Sequence, residues 1–261
     1  MIKGLLKRSL GVLGYELRRK TAERPADFSE QDQDLIDWVK PFTLTTPERL
    51  LGLIRATEYL IANRIPGAFV ECGVWRGGSM MAVARRLKEL NCVDRDLYLY
   101  DTFEGMPTPS DHDVSMHGEV AVKSFTDMQG RADGSQWCLA GLDEVRTNMA
   151  LAGYPARLIH YVKGKVEDTV PQTVPAQIAL LRLDTDWYES TRHELEYLWP
   201  LLSPQGVLIL DDYGYWKGAR KAVDDFLATL PFKPLLNRLD HTGRLLIKPA
   251  NGESVALARA S

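Results

Sequence analysis

Four aspartates at the ends of two apolar runs are the residues of this chain best suited to chemistry. LLRLDTDWYEST (residues 180–191) ends in Asp184 and Asp186, and GVLILDDYG (residues 206–214) ends in Asp211 and Asp212. Runs this apolar read as strands buried on both faces of a parallel sheet. Alternate residues of a strand point the same way, so Asp184 and Asp186 are expected to project together at the carboxyl end of the fourth strand. Asp211 and Asp212 end the fifth, a neighbour about 5 Å away. Carboxylates gathered there repel one another unless some hold protons or a cation sits among them. An all-oxygen donor set suits Mg²⁺, with Mn²⁺ or Ca²⁺ as alternatives, and the lack of nearby Cys or His argues against zinc. Helix capping is the competing explanation. It accounts for single acids at helix starts but not for two pairs.

A second constellation precedes these. VECGVWRGGSM (residues 70–80) follows an apolar run and opens a helical pattern, with Gly73, Gly77 and Gly78 letting backbone approach a ligand that a Cβ would block. The spacing Gly73-x-x-x-Gly77 differs from the G-x-G-x-x-G of dinucleotide folds. Asp101, at the end of DLYLYD, stands at the tip of the next strand, where a carboxylate can accept hydrogen bonds from both hydroxyls of a ribose. A tight structural turn and a solvated strand end are the alternatives.

The elements that must position these residues follow from periodicity. TTPERLLGLIRATEYLIANRI has a Thr45-x-x-Glu48 cap, Pro47 in the first turn and a broad apolar stripe, which predicts a helix from about Thr45. Short apolar runs then alternate with helical patterns: GAFVECGV, a helix about 78–90, DLYLYD, a helix about 141–152, RLIHYVKG, QIALLRLDTD, a helix about 189–201, GVLILDDY, and a helix about 216–229. Such alternation predicts an α/β fold with a parallel sheet covered on both faces. FKPLLNRL and GRLLIKP, on either side of Asp240 to Gly243, predict a terminal antiparallel hairpin. Residues 102–140 carry no strong periodic element and are rich in Gly, Pro, Asp, His and Ser, as expected of a loop or lid over a site. Residues 21–35 are polar and read as a linker.

The totals exclude several classes. With 32 basic and 35 acidic residues and a formal net charge of −3, the chain lacks the basic excess of a nucleic-acid-binding surface. Cys72, Cys92 and Cys138 are odd in number and far apart, so neither a disulfide framework nor a metal knuckle is indicated, and a reducing cytoplasm is the expected location. No apolar run approaches the ~18 residues of a membrane span. The first twenty residues form a basic amphipathic pattern, with Lys3, Lys7, Arg8, Arg18, Arg19 and Lys20 among leucines. Peripheral contact with an anionic membrane surface and packing on the domain or a dimer mate are both open to it.

IPGAFVECGVWRGGSMM, YDTFEGMP, DEVRTNMALAGYP, LRLDTDWYEST and LILDDYGYWKGARKAVDDF, in this order over about residues 42–248, resemble the macrocin O-methyltransferase (TylF-type) family of metal-dependent sugar O-methyltransferases. The resemblance implies a class I methyltransferase fold: a Rossmann-like, mostly parallel seven-stranded sheet with a C-terminal antiparallel hairpin, preceded by a helical extension and linker over 1–41. It implies S-adenosylmethionine as methyl donor, with contacts from Glu71, Gly73, Gly77 and Ser79 of the glycine loop, from Asp101 and Thr102, and from Gly164 and Lys165 after the third strand. It further implies Mg²⁺, or Mn²⁺, on Asp184, Asp211 and Asp212, with Asp186 as the base. The implied acceptor is a small-molecule hydroxyl on a sugar with adjacent hydroxyls, and the implied assembly is at least a homodimer.

These roles make chemical sense of the residues. A sugar hydroxyl is a poor nucleophile until its proton is loosened and removed, and placing it in line with the sulfonium methyl supplies most of the rest. His112 and His117 of the loop are alternative bases. Trp187, Tyr188, Tyr213, Tyr215 and Trp216 are expected either to wall the site or to pack beneath it. Two other classes compete: an NAD-dependent Rossmann oxidoreductase, for which the glycine spacing is wrong and the paired acids have no task, and a non-catalytic cofactor-binding scaffold, which would not need all four acids.

Overall fold

In the computed structural model, which describes residues 25–128 and 135–250, seven strands form one sheet in the order β3-β2-β1-β4-β5-β7-β6. They are β1 (Ala68–Cys72), β2 (Leu97–Asp101), β3 (Ile159–Lys163), β4 (Ile178–Leu183), β5 (Leu202–Leu210), β6 (Asn237–Arg238) and β7 (Arg244–Ile247). The first five are parallel; β7 runs antiparallel to β5 and β6 antiparallel to β7. The expected fold class, including the terminal hairpin, is therefore present. The order reverses between β1 and β4, and in such sheets the carboxyl ends on either side of that point frame the ligand crevice.

Helices α1 (Glu30–Val39), α2 (Pro47–Ala62), α3 (Gly78–Glu89), α4 (Ala121–Asp127), α5 (Leu142–Leu151), α6 (Val166–Thr169), α7 (Tyr188–Leu198) and α8 (Lys217–Ala228) connect and cover the strands. The central strands are buried along their length because both faces are covered, which is why ALLRL and VLIL do not alternate with polar residues. Val70, Cys72, Leu181, Leu183, Leu208 and Leu210 meet Leu195, Leu198 and Val223 of α7 and α8 on one face. Strand alternation then sends Glu71 and Arg182, which are register partners on β1 and β4, to the other face.

Three local expectations change. Residues 30–35, read as linker, begin α1, because Leu35, Ile36 and Val39 are buried and Asp32 pairs with Arg86 of α3 at 2.8 Å. The 102–140 segment carries α4, a helix of seven residues, too short for a periodic signal to stand out in its polar surroundings. The cap of α2 is Thr46, whose hydroxyl accepts from Arg49 N–H at 3.3 Å, rather than Thr45.

The chain divides into two compact units, Met1–Glu30 and Gln31–Ser261. Of the first, only residues 25–30 are described, with Phe28 N–H donating to the Pro25 carbonyl at 3.1 Å. The basic arm expected over residues 1–20 lies outside the described residues. Sheet and site belong to the second unit. Among the described residues no helix is long and apolar enough to cross a membrane.

Candidate active site

The acids do converge, by a route other than strand alternation. β4 ends at Leu183 and β5 at Leu210, so all four aspartates sit in the turns just beyond the strand tips. Asp184 N–H donates to the Cys72 carbonyl of β1 at 2.8 Å, and Asp211 N–H to the Leu183 carbonyl at 2.9 Å, which ties both turns to neighbouring strands. Asp186 has φ +67°, a left-handed conformation that Asp tolerates better than most residues, and its carboxyl faces that of Asp212. One carboxylate oxygen from each of Asp184, Asp211 and Asp212 lies within 4.8 Å of the others.

Two arginines hold these acids. Arg182, 2% exposed, donates through Nη1 to Glu71 Oε1 at 2.5 Å and Asp184 Oδ2 at 2.7 Å, and through Nη2 to Asp211 Oδ1 at 2.6 Å and Thr45 Oγ1 at 2.9 Å. One buried guanidinium thus fixes carboxylates from three adjacent strands. Arg49, on the first turn of α2, pairs with Asp211 Oδ2 and, through Nε, with Asp240 at 3.0 Å. From α7, buried Glu194 accepts from the Thr185 hydroxyl at 3.2 Å, so the residue between Asp184 and Asp186 is also held. None of Arg182, Arg49, Glu194 and Asp240 figured among the expected site residues. Arg182 carried a signal all the same, since a charge inside ALLRL must be buried and therefore paired.

Charge is not balanced by these arginines alone. Burial, Asp186 and Asp184 hold the Asp212 carboxyl well above the usual carboxylate range, against the pull of Arg49. Burial likewise pushes Asp186 up to about 7, with Asp184 adding repulsion and Asp212 and Trp216 opposing the rise by hydrogen bonding. Glu71 goes up to about 8, since burial outweighs Arg182. A proton shared between Asp186 and Asp212 is one way to relieve the excess negative charge; a divalent cation on the three clustered oxygens is the other, and the all-carboxylate donor set fits a hard ion such as Mg²⁺ or Mn²⁺.

All four aspartates line one cavity of about 490 Å³, together with Gly73, Ser79, Asp101, Thr102, Gly164 and Lys165. Glu71 and Gly77, also expected as cofactor contacts, do not line it. Glu71 points to the sheet face where Arg182 lies, and Gly77 supplies the φ +90° turn that starts α3. At Gly73 (φ +81°) a Cβ would strike the Asp184 carbonyl, so this glycine lets the tips of β1 and β4 touch. Asp101 is built into the loop. It accepts from Val74 N–H at 2.7 Å and Trp75 N–H at 3.0 Å on one oxygen, and from Phe103 N–H at 2.7 Å on the other. A carboxylate has about four acceptor sites, so it retains capacity for a hydroxyl donor.

Apolar and aromatic side chains, among them Phe42, Leu44, Met106, Pro107, Trp137 and Trp216, also line the cavity. Trp187 packs edge-on against Trp137 at 5.5 Å and Trp216 at 5.1 Å, and donates from Nε1 to the Pro107 carbonyl at 3.1 Å. Of the five expected aromatics, Tyr215 and Trp216 line the cavity, whereas Trp187, Tyr188 and Tyr213 do not. The segment that follows β2 is anchored by buried Asp113, which accepts from Tyr188 N–H at 2.8 Å and from Ser110. It is also anchored by Met116 N–H on the Tyr215 carbonyl at 2.7 Å. His112 and His117 are exposed on its outside, against Tyr188 and Tyr215, and neither lines the cavity.

This chain matches the family described as Macrocin-O-methyltransferase (TylF) over residues 7–248. It is 34% identical over 210 residues, 79% of this chain and 76% of the relative, to the 8-demethyl-8-(2,3-dimethoxy-alpha-L-rhamnosyl)-tetracenomycin-C 4'-O-methyltransferase of Streptomyces olivaceus. To the demethyldecarbamoylnovobiocin O-methyltransferase of Streptomyces niveus it is 28% identical over 214 residues, 79% of this chain and 76% of the relative. Among solved structures, the O-methyltransferase NovP superposes with a TM-score of 0.70 at 27% identity, covering 80% of this chain and 82% of that one.

Proposed function

This chain belongs to the macrocin O-methyltransferase (TylF) family and is an S-adenosylmethionine-dependent O-methyltransferase; from that premise we propose that it methylates a sugar hydroxyl of a glycosylated small molecule, with a divalent cation on Asp184, Asp211 and Asp212. The observation that carries the cation is the set of three carboxylate oxygens within 4.8 Å, in the same cavity as the glycine loop. A sugar acceptor is supported by the relative that methylates the 4' position of a rhamnosyl-bearing compound.

When bound, Mg²⁺ or Mn²⁺ would supply Lewis-acid polarisation of an acceptor hydroxyl. The remaining work falls to the chain's own residues. Gly73, Ser79, Asp101 and Thr102 would hold the methyl donor on the β1–β2 side, with Asp101 accepting from a ribose hydroxyl and Gly164 and Lys165 closing the end beyond β3. Asp186, raised by burial to about 7, is suited to accept a proton near neutral pH, so it would take the hydroxyl proton as the oxygen attacks the methyl group. The bond from sulfur to methyl breaks as the new C–O bond forms, leaving S-adenosylhomocysteine. Met106, Pro107, Trp137 and Trp216 would exclude water and meet the apolar face of the sugar. The three cysteines are unpaired, which supports a reducing cytoplasm.

The substrate class is tested by incubating the protein with S-adenosylmethionine carrying a labelled methyl group, Mg²⁺ and a panel of rhamnosides, other deoxyhexosides and catechols, followed by mass spectrometry. Label on a sugar oxygen is expected. Label only on non-glycosidic diols such as catechols would overturn the sugar assignment.

A further inference from the structure

The cation reading leaves Arg49 without a task. Arg49 lines the cavity at 11% side-chain exposure and pairs in two directions, with Asp211 Oδ2 through Nη1 and with Asp240 Oδ2 through Nε at 3.0 Å. The other oxygen of Asp211 is held by Arg182 at 2.6 Å. Both oxygens of a proposed metal ligand therefore face guanidinium groups, and a cation reaching Asp211 must displace or share one of them.

Arg182 is the wrong one to move. It is 2% exposed, enclosed between strands, and its loss would abandon Glu71 and Asp184 as well. Arg49 has somewhere to go. Asp240 is fixed as a second anchor by the Thr46 hydroxyl at 2.8 Å and by the amides of Thr242 at 2.8 Å and Gly243 at 2.6 Å.

We infer that Arg49 is the resident cation of the metal-free site and is exchanged against the incoming ion, swinging its charge from Asp211 onto Asp240. This inference rests on the cation reading of Asp184, Asp211 and Asp212. Without metal, the guanidinium keeps Asp211 neutralised and the acid cluster from spreading. With metal, a charge of +1 is traded for the charge of the ion. A monovalent ion gains nothing in that trade, whereas a divalent ion gains one unit, so the exchange favours divalent ions beyond what the oxygen donors alone would do. Asp240 sets the position of the balance because it receives the displaced charge.

The test is direct Mn²⁺ binding to the full chain, read by the electron paramagnetic resonance of free Mn²⁺, with no turnover involved. Removing the competitor in Arg49→Gln is expected to tighten Mn²⁺ about tenfold or more. Asp240→Asn, which leaves Arg49 with Asp211 as its main partner, is expected to weaken Mn²⁺ binding by about three- to tenfold. The double variant should bind like Arg49→Gln, because Asp240 acts through Arg49. Arg49→Lys, which keeps the charge but loses the two-way fork, should fall between wild type and Arg49→Gln, and it serves if the glutamine variant does not fold. Unchanged or weaker binding in the Arg49 variants overturns the exchange, as does an Asp240→Asn effect that persists without Arg49. A wild-type protein that binds no Mn²⁺ would remove the cation reading itself, whereas wild-type binding with unresponsive Arg49 variants removes only the role given to Arg49.

Discussion

Replacing Arg182 by Met should show how far the acid cluster depends on one buried guanidinium. The side chain donates four hydrogen bonds, to Glu71, Asp184, Asp211 and Thr45. Removing one partner of a buried ion pair costs about 3–5 kcal/mol, chiefly because the other charge is left behind without compensation. Here the abandoned groups have partial escapes. Glu71, already pushed up to about 8 by burial, would take a proton; Asp184 is 28% exposed and can rehydrate; Asp211 keeps Arg49. The loss should therefore lie at the lower end, about 3 kcal/mol, or roughly 6–12 °C in Tm at 2–4 °C per kcal/mol for a domain of this size. Adding Glu71→Gln removes the second half of the pair, so the double variant should lose about 1–2 kcal/mol less than the two single losses added together. Urea unfolding followed by circular dichroism gives all four corners of that cycle. A loss below about 1 kcal/mol for Arg182→Met, or strict additivity with Glu71→Gln, would refute the claim that this pair organises the site.

Two further expectations follow from the titrating groups. Asp186→Asn should lower kcat by about 10²–10⁴ while leaving S-adenosylmethionine affinity in calorimetry unchanged. The wild-type rate should rise with pH as Asp186 loses its proton, with a midpoint at or below about 7 because a bound cation withdraws that proton further, and the variant should lack this limb. Asp240 is held down to about 2: burial opposes the shift, but the Gly243 amide, Thr46 hydroxyl and Arg49 outweigh it. A depressed carboxyl adds stability above its unfolded pKa of about 4 and loses it as pH falls toward 2, so Asp240→Asn should cost about 1–2 kcal/mol at pH 7 after allowance for solvent screening. That difference should shrink steadily between about pH 4 and pH 2 and vanish only below the folded pKa of about 2; a constant gap across pH would contradict it.

The fold was readable from the chain because its signals are local and agree with one another. Apolar runs of strand length alternate with helical patterns, and five of them end in the residues proposed for the site. The acids were readable for the same reason, yet the reasoning that joined Asp184 to Asp186 relied on strand alternation, and β4 stops one residue before Asp184. Their convergence comes instead from a left-handed Asp186 and from backbone ties to β1 and β4, which have no local signature. Arg49 and Asp240 could not be recognised, because Arg49 lies 162 residues from Asp211 and meets it, and Asp240 meets Arg49, only through the packing of α2 and the terminal hairpin. Asp101 reads from the sequence as a strand-end ligand, and the structure makes it a brace for the glycine loop, a use that periodicity cannot reveal.

The measurement that bears most directly on the mechanism is the initial rate of methyl transfer from labelled S-adenosylmethionine to an accepted glycoside under buffered free Mg²⁺, for the wild type and for Asp184→Asn. The wild type should fall by about 10² or more on chelation and recover along a saturating Mg²⁺ curve, while Asp184→Asn stays low at every Mg²⁺ concentration. Full activity of the chelated wild type, or of Asp184→Asn without added metal, would contradict a cation on Asp184, Asp211 and Asp212.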